Sequence, residues 1–235
     1  MSDNHFEITN TSKLFALLHN INDKKEICAD YDILALKFDV TDIGEIPHSC
    51  ELLKNFLKEK TDKPLMICGC GKDDIDKLLL PELIKILDRE SIISFVSEKT
   101  YKDILPYVIQ GGHYVVLKTP IDINLAKELN ILACEAGVPR EKIIMNTDIG
   151  GLGYGFEYGY SIIEKIKLET EDEYLNLPII SEAPLESLKT KEAKFDNEQR
   201  TKMIELASAS GVLAAGANIV VMTDCENITI MKGMC

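Results

Sequence analysis

The sequence predicts an α/β fold: a (β/α)8, or TIM-type, barrel in one domain of residues 1–235, compact or incomplete at its C-terminal end. Three observations predict it. Short Val- and Ile-rich runs alternate with longer segments of helical period, the pattern of βα units on a parallel sheet. Eight such runs are present, and 235 residues is an ordinary length for one barrel.

In chain order the runs are Phe6 to Thr9, broken by Glu7; Asp32 to Phe38; Pro64 to Cys68; Ile92 to Val96; His113 to Leu117; Lys142 to Asn146; Leu177 to Ile180; and Asn218 to Met222. Periodicity identifies strands but does not decide closure, so an open doubly wound sheet is the competing arrangement.

Between the runs, Asp122 to Ala136 carries the clearest helix signals. Asp122 can cap the first turn, Ile123, Ala126, Leu129, Ala133 and Ala136 share a face, and Gly137 with Pro139 stops the helix. Asp73 to Asp88 carries a wide apolar stripe through Ile75, Leu79, Leu83 and Ile86, with Pro81 placed to bend or split it. Ser181 to Gln199, holding seven acidic or amide side chains, reads as a long connection before a helix at about Arg200 to Ser210. After the eighth run only Thr223 to Cys235 remains, so the last helix is missing or reduced.

Composition narrows the function classes. Hydrophobic residues make up 46% and charged residues 28%, a globular balance. The net charge of −13, from 39 acidic and 26 basic residues, repels phosphate backbones and argues against nucleic acid; a solvated acidic face is its plain structural meaning. No stretch reaches the roughly 18 apolar residues of a membrane span, and Met1 to Asn10 lacks a basic region with an apolar signal core, so a cytoplasmic protein without a membrane partner is expected.

Seven scattered cysteines, an odd number without a CxxC pair, argue against a disulfide framework and against a zinc or iron–sulfur site within the chain; reduced thiols packed as small apolar residues are expected. Cys68 and Cys70 form a C-x-C at a strand end, which reads as coincidence more readily than as a redox pair. His5, His19, His48 and His113 form no HxH, HExxH or D-x-H-x-x-G arrangement, and no G-x-S-x-G elbow is present. No catalytic or metal-ligating residue is therefore assigned.

The most informative segment is Asn146 to Tyr158, after one strand and at the start of a helix. Gly150, Gly151, Gly153 and Gly155 put four glycines in six positions. Such a turn lets the backbone come close to another group, either a ligand at free helix N–H groups or a tightly packed neighbour. It is not a dinucleotide fingerprint, because it comes late and lacks the acidic ribose partner.

Here Leu152-Gly153-Tyr154-Gly155, Glu157-Tyr158 and Glu164-Lys165-Ile166-Lys167 resemble a stretch of the corrinoid/iron–sulfur protein small subunit, the delta subunit of the acetyl-CoA decarbonylase/synthase complex. Pro64 to Gly71 resembles that family's strand and glycine turn, Ile121 to Asn130 its DINLAKQLN helix with Gly137-Val138-Pro139 after it, and Lys191-Glu192-Ala193 its KEA. The resemblance runs from about Tyr31 to Met222. The chain departs from the pattern in having no Trp, in carrying Asn146-Thr147-Asp148 where DPT is common, and in being shorter at both ends.

The resemblance implies a component of a methyl-transfer complex rather than a catalytic subunit. A large corrinoid/iron–sulfur subunit would be its partner and carry the iron–sulfur cluster, with the corrinoid (cobalamin) at the subunit interface. A methyltransferase and an acetyl-CoA synthase would bind transiently. Because barrels keep their sites at the C-terminal strand ends, the candidate cofactor-binding residues are Asp39, Gly69, Gly71, Thr119, Asn146, Asp148, Gly150, Gly151, Gly153 and Tyr154, with Thr41 and Thr223 beside them. Each has a structural alternative: Asp39 and Asp148 suit caps and loop amides, and Tyr154 and Tyr158 suit the rim between barrel and helix.

Two other functions compete. One is a methyltransferase that binds a methylated pterin, with Asp39, Asn146 and Asp148 converging on the ring; the other is a barrel that lost the corrinoid and serves as an accessory subunit.

Overall fold

A computed structural model describes residues 7–23, 27–58, 62–194 and 197–235. Eight strands form one parallel sheet: β1 (Leu14–Asn20), β2 (Ile33–Lys37), β3 (Leu65–Cys68), β4 (Ile92–Val96), β5 (Tyr114–Lys118), β6 (Ile143–Asn146), β7 (Ile180–Ser181) and β8 (Ile219–Met222). The order β6-β5-β4-β3-β2-β1-β8-β7 leaves β6 and β7 at its ends. Those ends meet through a parallel bridge, Met145 to Ile179, with the Met145 N–H donating to the Pro178 carbonyl at 2.8 Å. The sheet is thus a nearly closed barrel rather than an open doubly wound sheet.

Alternation along each strand builds two apolar layers. Ile33, Ala35, Met66, Val116, Ile144 and Val221 fill the barrel interior, while Leu34, Leu36, Ile67, Val115 and Leu117 face the helices. The helices are α1 (Ile46–Lys58), α2 (Asp73–Ile84), α3 (Tyr101–Gly111), α4 (Ile123–Ala136), α5 (Phe156–Leu168), α6 (Ala183–Leu188), α7 (Glu198–Ala215) and α8 (Cys225–Met234). Asp122, Asn197 and Asp224 accept backbone N–H groups as N-caps of α4, α7 and α8.

Strands two to eight fall where periodicity predicts them, to within a few residues. The first strand does not. Of the expected run, Phe6 lies outside the described residues and Glu7 to Thr9 is not strand; β1 is Leu14–Asn20. Ile8, from the expected run, is buried with the interior residues instead. Asn218 fixes that segment: its amide donates to the Asn10 carbonyl at 2.8 Å and the Ser12 carbonyl at 3.2 Å, and its Oδ1 accepts the Ile179 N–H at 2.9 Å.

The last helix is reduced, as expected, to the ten-residue α8 within Thr223 to Cys235. Three further expectations change. The polar connection after β7 contains α6, and Pro81 stays within a continuous α2 that ends at Ile84. Cys28 and Cys225 form a disulfide, against the expectation of reduced thiols; they lie 197 residues apart. The reason is the strand order: β1 pairs with both β2 and β8, so the connection after β1 and the start of α8 become neighbours.

Candidate functional site

At the C-terminal ends of the strands the barrel opens into a cavity of about 450 Å³. Its floor is apolar, with Leu18, Met66, Phe95 and Val221, and its rim is charged, with Lys37, Lys118, Asp76, Glu182, Glu186 and Lys189. A slightly larger hollow of about 510 Å³ lies near the other ends of the strands, beside His113 and Tyr107. There the His113 Nδ1 accepts the Ser91 N–H at 3.2 Å, and burial lowers the histidine's pKa. Barrel sites lie at the C-terminal face, so the mouth is the candidate site.

Lys37 and Lys118 each end an otherwise apolar strand, ILALK and YVVLK. Lys118 Nζ stands 2.9 Å from a Glu182 carboxylate oxygen and 4.7 Å from the Phe95 ring centre. Burial alone would lower the Lys118 pKa, but the Glu182 charge and hydrogen bond outweigh it and hold the ammonium charged. Burial raises the Glu182 pKa against the pull of Lys118.

Across the mouth, Asp76 of α2 shapes the turn after β3. Its Oδ1 accepts the Cys70 N–H and its Oδ2 the Gly71 N–H, both at 2.8 Å. A Cβ at Gly69 would stand 2.5 Å from Asp76 Oδ1, so only glycine admits that carboxylate. Burial pushes the Cys68 thiol up to about 12 and the Cys70 thiol up to about 11, so neither is poised as a thiolate nucleophile. Among the described residues no group of three or more His, Cys, Asp or Glu is arranged to hold a metal ion.

The predicted site residues fall into separate groups. Gly69 and Gly71 line the mouth. Asn146 and Thr119 are buried at the strand ends; the Asn146 amide donates to the Ile180 carbonyl at 3.2 Å, while Asn146 Oδ1 and Thr119 Oγ1 have no partner among the described residues. Asp148 is buried behind the rim, where its Oδ2 accepts the backbone N–H groups of Glu182 and, at 3.1 Å, Ala183. Burial lifts its pKa to about 6 against the Ser181 and Glu182 hydrogen bonds.

Gly150 and Gly151 serve close packing: a Cβ on Gly150 would stand 2.0 Å from the Tyr154 carbonyl oxygen, and one on Gly151 2.3 Å from the Ser187 nitrogen. Gly153 takes φ +76° in the following turn. Tyr154 is exposed and its hydroxyl lies 3.4 Å from Glu192, joining two of the segments that carry the family resemblance.

Asp39 pairs with Lys37 at 3.0 Å and lines a separate hollow of about 230 Å³. None of the cavities formed by the described residues is lined by Asp39, Asn146 and Asp148 together. Thr41 bonds Glu45, and Thr223 bonds the buried Glu205.

Lys118, Lys37, Asp76 and Glu182 were not among the sequence candidates. The two lysines carried a usable signal, a single charge closing an apolar strand run. Asp76 and Glu182 carried none, because each joins the mouth only once its helix packs over the barrel.

Comparison with known proteins agrees with this architecture. Dihydropteroate synthase from Thermus thermophilus superposes with a TM-score of 0.69 at 12% identity over 98% of both chains. The 7,8-dihydropteroate synthase from Vibrio fischeri gives 0.68 at 14% identity, over 100% of this chain and 96% of that one. At such identity these likenesses show the barrel fold.

In sequence, the chain is 26% identical over 196 residues to the acetyl-CoA decarbonylase/synthase complex subunit delta of Methanocaldococcus jannaschii, covering 79% of this chain and 48% of that protein. It is 31% identical over 128 residues to subunit delta 1 of Methanosarcina thermophila, covering 52% and 29%. The chain thus spans less than half the length of these relatives. The sequence model described as CO dehydrogenase/acetyl-CoA synthase delta subunit matches residues 6–235, every strand and helix of the barrel included, and the chain belongs to that family.

Proposed function

We propose that this chain is the small, delta-type subunit of a corrinoid/iron–sulfur methyl carrier, and that its barrel mouth is the wall against which the corrinoid rests. In this reading a methyl group from a methyltetrahydropterin reaches the acetyl-CoA synthase site by way of a corrinoid shared with a large, cluster-bearing subunit. A methyltransferase and the synthase dock in turn, and the complex works in the cytoplasm. The observation that carries the reading is the family match across the full barrel, residues 6–235.

The mouth fits such a ligand by its chemistry. A corrin is a broad plate with neutral amide arms, too wide to enter a cavity of about 450 Å³, so it would lie across the opening over Leu18, Met66, Phe95 and Val221. Lys37 and Lys118 would donate to amide oxygens, and Glu182 and Glu186 would accept amide N–H groups. The cobalt supplies the methyl-carrying chemistry. This chain's residues orient the plate, keep water from one face of it and hold their own charges in pairs.

The test is co-expression with a corrinoid/iron–sulfur large subunit, purification through a tag on this chain alone, and a visible spectrum. A coloured one-to-one complex, with no methyl transfer from methyltetrahydrofolate to cob(I)alamin by the chain alone, is the expected result. A colourless barrel that captures no large subunit refutes the reading, and turnover by the lone chain would return the case to a methyltransferase.

A further inference from the structure

The glycine-rich segment, the strongest motif in the sequence, does not line the mouth cavity. Its contacts lead instead to α6. The Asp148 carboxylate receives the N–H groups of Glu182 and Ala183 at the entry to α6. Gly151 packs so closely that a Cβ would stand within 2.5 Å of the Glu186 and Ser187 backbone. The Leu152 N–H donates to Ser187 Oγ at 2.9 Å, and that hydroxyl donates to the Ala183 carbonyl at 2.7 Å.

Helix α6 has two faces. Ala183 and Ser187 are buried toward the glycine-rich segment and α7, where Ser187 Oγ meets Ser208 Oγ at 2.9 Å. Glu182, Leu185, Glu186 and Lys189, at the i, i+3, i+4, i+7 spacing of one helical side, all line the mouth. The segment and the mouth therefore grip opposite sides of one short helix.

We propose that Asp148 is a positioning residue for the mouth: by anchoring the start of α6 it holds the Glu182 carboxylate against Lys118, so that the glycine-rich segment acts on the ligand through α6 without touching it. The role at the ligand rests on the mouth being the corrinoid-facing wall. The anchoring itself does not. The charged groups around Asp148 are Lys118 from β5 and Glu182 at the start of α6.

The experiment is acylation of the full chain with acetic anhydride, read by peptide mass spectrometry at Lys118 and at Lys142. Lys142 pairs with Glu90 at 2.6 Å beside Gly112, near the other ends of the strands, and so reports general loosening. Asp148→Ala removes both anchoring bonds and is expected to raise Lys118 labelling roughly tenfold with Lys142 unchanged. Asp148→Asn keeps an oxygen for the two N–H groups and is expected to leave Lys118 within about twofold of the wild type.

Equal Lys118 labelling in Asp148→Ala and wild type overturns the proposal, as does Asp148→Asn behaving like Asp148→Ala. If Asp148→Ala does not fold, hydrogen exchange on the wild type decides: protected Glu182 and Ala183 amides support the anchor, and exchange at loop rates overturns it. Protection of wild-type Lys118 by added large subunit loaded with hydroxocobalamin is a separate arm. Its failure would count against the corrinoid reading while leaving the anchor intact.

Discussion

Lys118 and Glu182 come from strand and helix segments 64 residues apart and meet at 2.9 Å on the barrel rim, the lysine a third exposed and the glutamate nearly buried. Such a pair costs desolvation to assemble, and losing one member strands the other in a poorly solvated place.

Lys118→Met is therefore expected to destabilise the fold by about 2 kcal/mol, less than for a fully buried pair because water reaches the lysine. Lys118→Met with Glu182→Leu should recover most of that loss. Urea unfolding of the single and double variants checks it; a double variant as unstable as the sum of its singles would show that the two side chains act independently.

Asp148 gives a pH signature. Burial raises its pKa from 3.8 to about 6, so the folded protein resists its ionisation more than the unfolded chain does. The stability contributed by the protonated form is complete below about pH 4 and lost as pH rises through about 6. Asp148→Asn carries no such loss. Above about pH 7 it should be the more stable protein, by at most about 3 kcal/mol, and the gap should close by about pH 4, as followed by denaturant midpoints across that range.

Gly151→Ala would place a methyl group 2.3 Å from the Ser187 nitrogen, where backbone rather than a flexible side chain must give way. The expected cost is about 2 kcal/mol, a melting temperature lower by roughly 4–8 °C in a protein of this size. Gly153→Ala meets no atom within 4 Å but must hold φ +76°, and should cost about 1 kcal/mol. Thermal melts of the two variants separate close approach from backbone conformation.

The Cys28–Cys225 disulfide closes a span of 197 residues. Denatured protein prepared without reductant should titrate five thiols, Cys50, Cys68, Cys70, Cys134 and Cys235, and all seven cysteines after reduction. Reduction should lower stability by about 3–5 kcal/mol, measured as the shift in urea midpoint with and without dithiothreitol. Seven thiols before reduction would show the pair unjoined.

The sequence by itself determined the alternation of strand and helix, because period two and period 3.6 are local properties that survive without tertiary contacts. Seven of the eight strands and the Asp122 cap could be read this way. The glycine-rich turn and its family resemblance could too, because they lie within one continuous segment. β1 could not: LFALLHN carries apolar residues on both faces, whereas the FEIT run alternates more regularly; of its described residues Ile8 is buried with the interior residues, but none is strand.

Tertiary structure alone decided closure, through Met145 and Ile179, and the Cys28–Cys225 pairing, which follows from β1 lying between β2 and β8. It also decided which candidate residues face the mouth. Gly69 and Gly71 do; Asn146 and Asp148 are turned inward; and Asp76, Lys118 and Glu182 enter from segments scattered along the chain. The physical reason is that the charge at the rim is a property of pairs. Lys118 acquires its role only where α6, anchored through Asp148 and packed on Gly151, brings Glu182 to it, and no single segment encodes that meeting.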